Sequence, residues 1–300
     1  MPDPGLELRH LRTFVAVAKR RSFTRAADDL HIAQQAVSQQ VRVLERTLGV
    51  TLLHRTSRNV ELTPEGQVFL VDSRRVLAAA DRAAWRVKAA ARGEVGTLRL
   101  AYTLTTVWDT VPRLLARMSE AEPRVKVQAR EVFGADIDDL LLDGRCDLGL
   151  APRTSYPKGL QSLPVRRETM RVALSSSDPI SARKRIELST LANRSFELWP
   201  RDMAPGFYDT VVAACRTAGF EPSLDEQATG NTVWGNLARG WGVALINASL
   251  AEQLPRGVVL VDLAQPVELT YEAVWLPGEG PLIDRSLGVA TGLAHEVGWL

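Results

Sequence analysis

Gln34, Gln35, Ser38, Gln39 and Arg42 are spaced to share one side of a helix, and no acidic residue interrupts that side. Gln and Arg side chains bond two atoms of one base edge, and Ser serves either polarity. The major groove of a duplex admits a helix, so the set can read a sequence of bases. The alternative is an ordinary solvated face. Such faces usually mix Glu with Lys four residues apart, which Gln34-Gln35 followed by Gln39-Gln40 does not. Further on, Arg55 and Arg58 flank the turn of an alternating stretch, Thr51 to Leu62, where guanidiniums suit phosphates or a minor groove.

A second cluster is Thr103-Leu104-Thr105-Thr106, directly after an apolar run. Hydroxyls and free backbone donors at the start of a helix that contains Trp108 and Val111 would hold an anion. A plain Thr cap explains the same residues without a ligand.

Little else in the chain points to chemistry. Hydrolysis needs a nucleophile and a base, yet His10, His31 and His54 lie in the front portion and His295 stands alone. GxSxG, HExxH, P-loop and dinucleotide patterns are absent, and Asp136, Asp138, Asp139 and Asp143 read as solvated surface, so no catalytic residues are assigned. Cys146 and Cys215, with no ligand spacing, are expected to be reduced core residues, and no metal or cofactor is expected.

The elements that position these residues follow from composition and periodicity. Three hundred residues, 45% apolar and 24% charged, make more than one small domain. Net charge is +2, but residues 1–92 carry +7 and residues 93–300 carry −5, so the front suits a polyanion. No apolar run reaches the roughly 18 residues of a membrane span, and Met1-Pro2-Asp3-Pro4 lacks the order of a signal peptide; the expected location is the cytoplasm, without membrane contact.

Leu8, Leu11, Phe14, Val15 and Ala18 form one face of a first helix, and Phe23, Ala26, Ala27 and Leu30 give a second, capped by Ser22. Ala36, Val37, Val41, Leu44 and Leu48 back the polar face of a third, which Gly49 stops. A hairpin follows. Thr63-Pro64 then starts a helix to about Ala91, in which Phe69, Val76 and Ala83 interleave with Ser73, Ala80 and Val87. A stripe buried against its own domain would show the same double sevenfold series, but a helix of this length outruns a small domain's core, so a seam for self-association is preferred.

Leu8 to Phe14, Ser22 to Ala27, Ser38-Gln39-Gln40-Val41, Leu44-Glu45, Leu48-Gly49-Val50, Leu52 to Arg55 and Leu62 to Gly66 together resemble the LysR-type transcriptional regulators. The resemblance is dense over residues 6–90 and weaker beyond. It implies a sequence-specific DNA-binding regulator of α/β class overall, with a winged helix-turn-helix at 6–63 and a linker dimerisation helix at 64–92. An effector-binding domain at 93–300 would follow, resembling the periplasmic solute-binding (type 2) fold, with lobe I about 97–166 and 268–300 and lobe II about 167–267. It further implies Gln34, Ser38, Gln39 and Arg42 in the major groove, Ser22, Thr24 and Arg25 near the backbone, and Arg55 and Arg58 on the wing, and Gln35 on the same polar face is counted among the DNA-binding residues. Expected partners are double-stranded DNA, a small-molecule effector, a second copy through the linker helix with assembly to a homotetramer, and RNA polymerase. The family commonly has Pro at position 35 and Arg at position 39, where this chain has Gln. Its bases therefore cannot be copied from relatives.

In the rear portion the strand candidates are Leu98 to Tyr102, Val125 to Val132, Leu148 to Ala151, Met170 to Leu174, Phe196 to Trp199, Val243 to Ile246, Val258 to Val261 and Glu268 to Trp275. In the resembling fold the chain crosses between lobes near Arg166-Arg167 and Pro266-Val267, with the cleft at the strand ends. The family often has Ser or Thr at Thr103 to hold a carboxylate, which favours the effector reading of Thr103, Leu104, Thr105 and Thr106. Phe133, Gly134 and Arg201 lie in loops that resemble cleft-lining ones, and Arg201 is either a carboxylate clamp or a surface Arg. Asn231, in Thr229-Gly230-Asn231-Thr232, is a weaker candidate. Trp234 and Trp241 are expected in the core. The family's Gly-x-Gly-x-x-x-x-Pro stretch runs Gly240 to Asn247 here, with Asn in place of Pro. A solute-binding module of a transport system is the competing function, disfavoured by the basic front and the absent export signal.

Overall fold

The computed structural model describes residues 5–55, 60–91, 96–152, 159–225, 231–278 and 280–300, except the side chains of 85, 86, 88–91 and 231. Two compact units emerge, residues 1–93 with 142–145, and residues 94–141 with 146–300.

In the first unit, α1 (Leu8–Arg20), α2 (Phe23–Leu30) and α3 (Gln34–Leu48) pack around Phe14, Val17, Ala26, Ala27, Val37, Val41 and Leu44. Ala26 and Ala27 supply the small surface that lets helices approach closely. The buried stripe of α1 is His10, Leu11, Thr13, Phe14 and Val17, so the expected face is rotated: Leu8 lies exposed, and Val17 replaces Ala18. Ser22 caps α2 through the N–H of Arg25, and Gly49 ends α3 in the left-handed region at φ 71°.

The wing is β1 (Leu53–Arg55) against β2 (Val60–Leu62), antiparallel, with Leu53 opposite Leu62. Its tip, including Arg58, lies outside the described residues. Thr63 then accepts from the N–H of Gly66 at 2.9 Å and donates to Thr51 O at 2.8 Å, fixing the start of α4 (Pro64–Ala91). Gly66 is required there, since a Cβ would stand 2.1 Å from Leu52 O. The expected seam of α4 divides. Phe69 packs on Phe14 with ring centroids 5.4 Å apart and Ser73 is buried, whereas Val76, Ala83 and Val87 are exposed.

The second unit alternates β3 (Gly96–Tyr102), α5 (Thr110–Ala121), β4 (Val125–Glu131), α6 (Asp136–Leu142), β5 (Leu148–Pro152), β6 (Gln161–Ser175), β7 (Arg185–Ile186), β8 (Ser195–Glu197), α7 (Pro205–Thr217), β9 (Ser223–Asp225), α8 (Asn231–Ala238), β10 (Ala244–Asn247), β11 (Val258–Leu263), β12 (Val267–Trp275) and α9 (Pro281–Glu296). An eight-stranded sheet runs β4-β3-β5-β12-β6-β11-β7, with β10 also on β6. β3 is parallel to β4 and β5, as helical crossovers demand. β5 is buried along its length, hence its unbroken apolar run.

Strands β6 and β12 form the spine. They pair antiparallel from Gln161 opposite Trp275 to Met170 opposite Val267, and the far end of β6 pairs with β10 and β11. β6 therefore begins well before the expected Met170. Its first half carries Arg166 and Glu168, which are buried by mutual pairing and so hide the strand's period in the sequence. The expected helix from Thr103 is also different: Leu104–Thr106 is a single 3₁₀ turn, and α5 starts only at Thr110. Asp109, at φ −143°, breaks the helical path while its carboxylate binds Arg113 and Arg166.

Candidate functional site

Helix α3 is anchored by Val37, Val41 and Leu44, all fully buried, and this fixes which side faces out. Gln34, Gln35, Gln39 and Arg42 are exposed and Ser38 is half-buried, so the five form one continuous stripe. Arg42 Nε donates to its own helix at Ser38 O, 3.1 Å away. Gln40 departs from the amide-rich run: its Oε1 accepts from Thr13 Oγ1 at 2.5 Å, tying α3 to α1. Thr24 and Arg25 are exposed on α2, with Arg25 Nη2 on Arg20 O at 2.8 Å; Ser22 is occupied as the cap.

Arg55 does not extend freely from the wing. Its Nη2 donates to Glu45 Oε2 at 2.8 Å, and its guanidinium lies 4.8 Å over the Phe23 ring. Glu45 Oε1 meanwhile accepts from the N–H groups of Leu52 (3.0 Å) and Leu53 (3.2 Å). One carboxylate thus joins α3 to the wing strand, a link that sequence reading missed because Glu45 looks like helix surface. Glu45→Ala leaves the buried Leu52 N–H without its acceptor and frees Arg55. Such losses cost about 1.5–3 kcal/mol each, so denaturant unfolding should show the front unit destabilised by about 3 kcal/mol, with Glu45→Gln retaining part of it.

In the second unit the Thr103–Thr106 turn sits at the end of β3. Thr103 and Thr105 Oγ1 atoms are 3.0 Å apart, and Thr106 Oγ1 donates to Thr103 O at 2.7 Å. The N–H groups of Thr103 and Thr106 go to Leu150 O and Thr103 O, while those of Leu104 and Thr105 have no acceptor among the described residues. Gly134 meets this turn from one side and the loop before α7 from the other: its N–H donates to Met203 O at 2.9 Å, and a Cβ there would lie 3.7 Å from Thr103 Cγ2 and 3.4 Å from Pro205 Cδ. Phe133 beside it is exposed.

Arg201 is not part of that convergence. Its Nε and Nη2 bind the two carboxylate oxygens of Asp209 at 2.7 and 2.9 Å, on a side chain 62% exposed, so a neighbour has filled the fork expected for a ligand. Asn231 begins α8, and its side chain lies outside the described residues. Trp234 packs on the core as expected, but Trp241 is 64% exposed with Arg239 stacked 4.8 Å over its ring. Glycines on both sides of Trp241 leave it no packed neighbour in sequence.

Behind the turn lies a buried polar network. Arg166 Nη1 donates to Asp109 Oδ2 (2.6 Å) and Thr110 Oγ1 (2.9 Å), and its guanidinium stacks on Trp299 at 4.7 Å. Glu168 accepts from the Ser249 N–H at 2.7 Å. The Tyr271 hydroxyl donates to Thr105 O at 3.1 Å, and burial holds its pKa well above the usual phenol value, so it stays a donor. Cys215 is buried and its thiol is pushed up to about 11 by desolvation, which leaves no thiolate for redox chemistry at neutral pH. Among the described residues no His, Cys, Asp and Glu cluster fits a metal, and no helix is long and apolar enough to cross a membrane.

An acid-free helix face on a helix-turn-helix, joined to a sheet-rich unit with an anion-suited turn, defines a ligand-controlled DNA-binding regulator. Residues 8–67 match the bacterial regulatory helix-turn-helix protein family, lysR type, and residues 91–285 match the LysR substrate binding domain. The HTH-type transcriptional regulator TfdS of Cupriavidus pinatubonensis is 35% identical over 272 residues, covering 89% of this chain and 92% of TfdS. Full-length CbnR complexed with its target DNA superposes with a TM-score of 0.57 at 28% identity, covering 96% of this chain and 100% of CbnR. Full-length BenM gives 0.62 at 28% identity, covering 98% and 99%. The chain belongs to the LysR family of transcriptional regulators. Delivery of solute to a transporter is accordingly set aside.

Proposed function

We propose that α3 reads an operator through Gln34, Gln35, Ser38, Gln39 and Arg42, with Thr24, Arg25 and the wing, including Arg58, against the phosphates. The observation that carries this is the exposed, acid-free stripe held outward by three fully buried residues on the opposite side. With Gln at positions 35 and 39, adenine contacts are favoured over guanine. Arg55 contributes by holding the wing. Base-specific protection of a duplex selected from a random pool, absent with the stripe replaced by alanine, is the test.

Two copies pair through α4, where Val76, Ala83 and Val87 remain uncovered, and pairs assemble to a tetramer. Their recognition helices then meet an inverted repeat with half-sites about 34 Å apart or a multiple of that. The limits proposed for the domains are a reading head at 6–63, a pairing helix at 64–92 and an effector domain at 93–300. The protein works in the cytoplasm, with RNA polymerase as a further partner, and carries out no catalysis.

The effector is a small anion held by the free N–H groups of Leu104 and Thr105 and the hydroxyls of Thr103 and Thr105. Gly134, whose N–H donates to Met203 O, borders the turn beside Thr103. Thr103→Val keeps the shape and removes a donor, so effector affinity should fall about tenfold, the worth of one hydrogen bond to a charged group. Calorimetric titration with a panel of small acids reads this directly; unchanged affinities would place the ligand elsewhere.

A further inference from the structure

Asn247 stands where the resembling family carries proline. Its backbone, at φ −62° and ψ 141°, is one that proline adopts, so the path of the chain does not call for asparagine. The side chain is fully buried at the end of β10. Its Nδ2 donates to Thr105 O at 2.7 Å and to the Tyr271 hydroxyl oxygen, with Glu168 Oε2 at 3.5 Å. Thr105 O and the Glu168 carboxylate only accept, so the nitrogen end must face them and Oδ1 is turned away.

That Oδ1 is a buried acceptor with no donor among the described residues. Such an atom has given up its water without gaining a partner, and a donor brought to it is correspondingly favoured. The width of a primary amide places it within about 5 Å of Thr105 O, on the same turn as the unpaired Leu104 and Thr105 N–H groups. Donors suited to a carboxylate and one lone acceptor suited to a donor thus fall within the span of one small molecule.

We propose that Asn247 is a specificity-determining residue of the effector site, its Oδ1 receiving a hydroxyl or amino group of the effector. This chain then responds to a small carboxylic acid bearing such a group and discriminates against the unsubstituted parent acid. The inference rests on the anion-binding reading of the Thr103–Thr106 turn. The parent acid fills the same cradle but leaves Oδ1 unpaired, which separates good from poor ligands by far more than shape does.

The test uses the full-length protein and matched pairs of hydroxy or amino acids and their parents, aliphatic and aromatic, including 2-hydroxybutyrate with butyrate and 2-hydroxybenzoate with benzoate. Thermal shift finds the binding acids and calorimetry gives Kd. At least one substituted acid should bind tenfold or more tighter than its parent. Asn247→Pro, the family residue on a compatible backbone, should shrink that ratio to about twofold, and Asn247→Ala should do the same; the ratio, not the Kd of either acid alone, is the readout. Equal binding of substituted and parent acids to the wild-type protein, or a ratio that persists in the folded variants, overturns the inference and leaves the anion site standing. If no acid of either kind raises the Tm, the anion site itself is refuted and the inference with it.

Discussion

The double variant Gln39→Ala, Arg42→Ala is expected to bind an operator no better than a scrambled duplex, while still forming the oligomer of the parent. Each bidentate base contact is worth about 1–3 kcal/mol of discrimination. Removing two from each recognition helix therefore costs a hundredfold or more in preference. Both side chains are exposed and neither belongs to the core of Phe14, Val37, Val41 and Leu44, so stability should change by less than about 0.5 kcal/mol. Gel-shift titration against both duplexes, with size-exclusion chromatography for assembly, separates loss of reading from loss of fold. Retained preference would move base recognition away from α3.

The second large effect is on salt. Residues 1–92 carry a net charge of +7, and two copies engaging one duplex would neutralise several phosphates. Affinity should then fall about a thousandfold or more between 50 and 200 mM salt, as it does for proteins making roughly six to ten phosphate contacts. The slope of log affinity against log salt should be alike for operator and scrambled DNA, because phosphates position without specifying. A flat profile would remove the phosphate contacts assigned to Arg25 and the wing.

The front unit was largely legible because its signals are local. The Ser22 and Thr63 caps and Gly49 each act within a few residues, and the structure uses all three, whereas the apolar spacing of α1 gave the helix but a rotated face, with Leu8 exposed. What escaped were side chains whose partners are distant in sequence. Gln40 belongs with Thr13, Glu45 with Leu52, Leu53 and Arg55, and Arg201 with Asp209, and no periodicity reveals such choices. The same holds for the sensing unit. Arg166 and Glu168 look like loop charges until β6 and β12 bury them, and Asn247 looks like an ordinary turn residue until Tyr271 and Thr105 close on it. Buried polar groups owe their place to long-range pairing, so a reading by hydrophobic pattern passes over them.

Duplexes selected by the wild-type protein from a random pool, compared in affinity with scrambled duplexes at physiological salt, test the central claim most directly. Specific readout predicts a preference of a thousandfold or more, carried by positions that change when Gln35 or Gln39 is replaced. Equal affinity for every sequence would mean that the stripe on α3 is a solvated surface and that the protein does not read DNA through it.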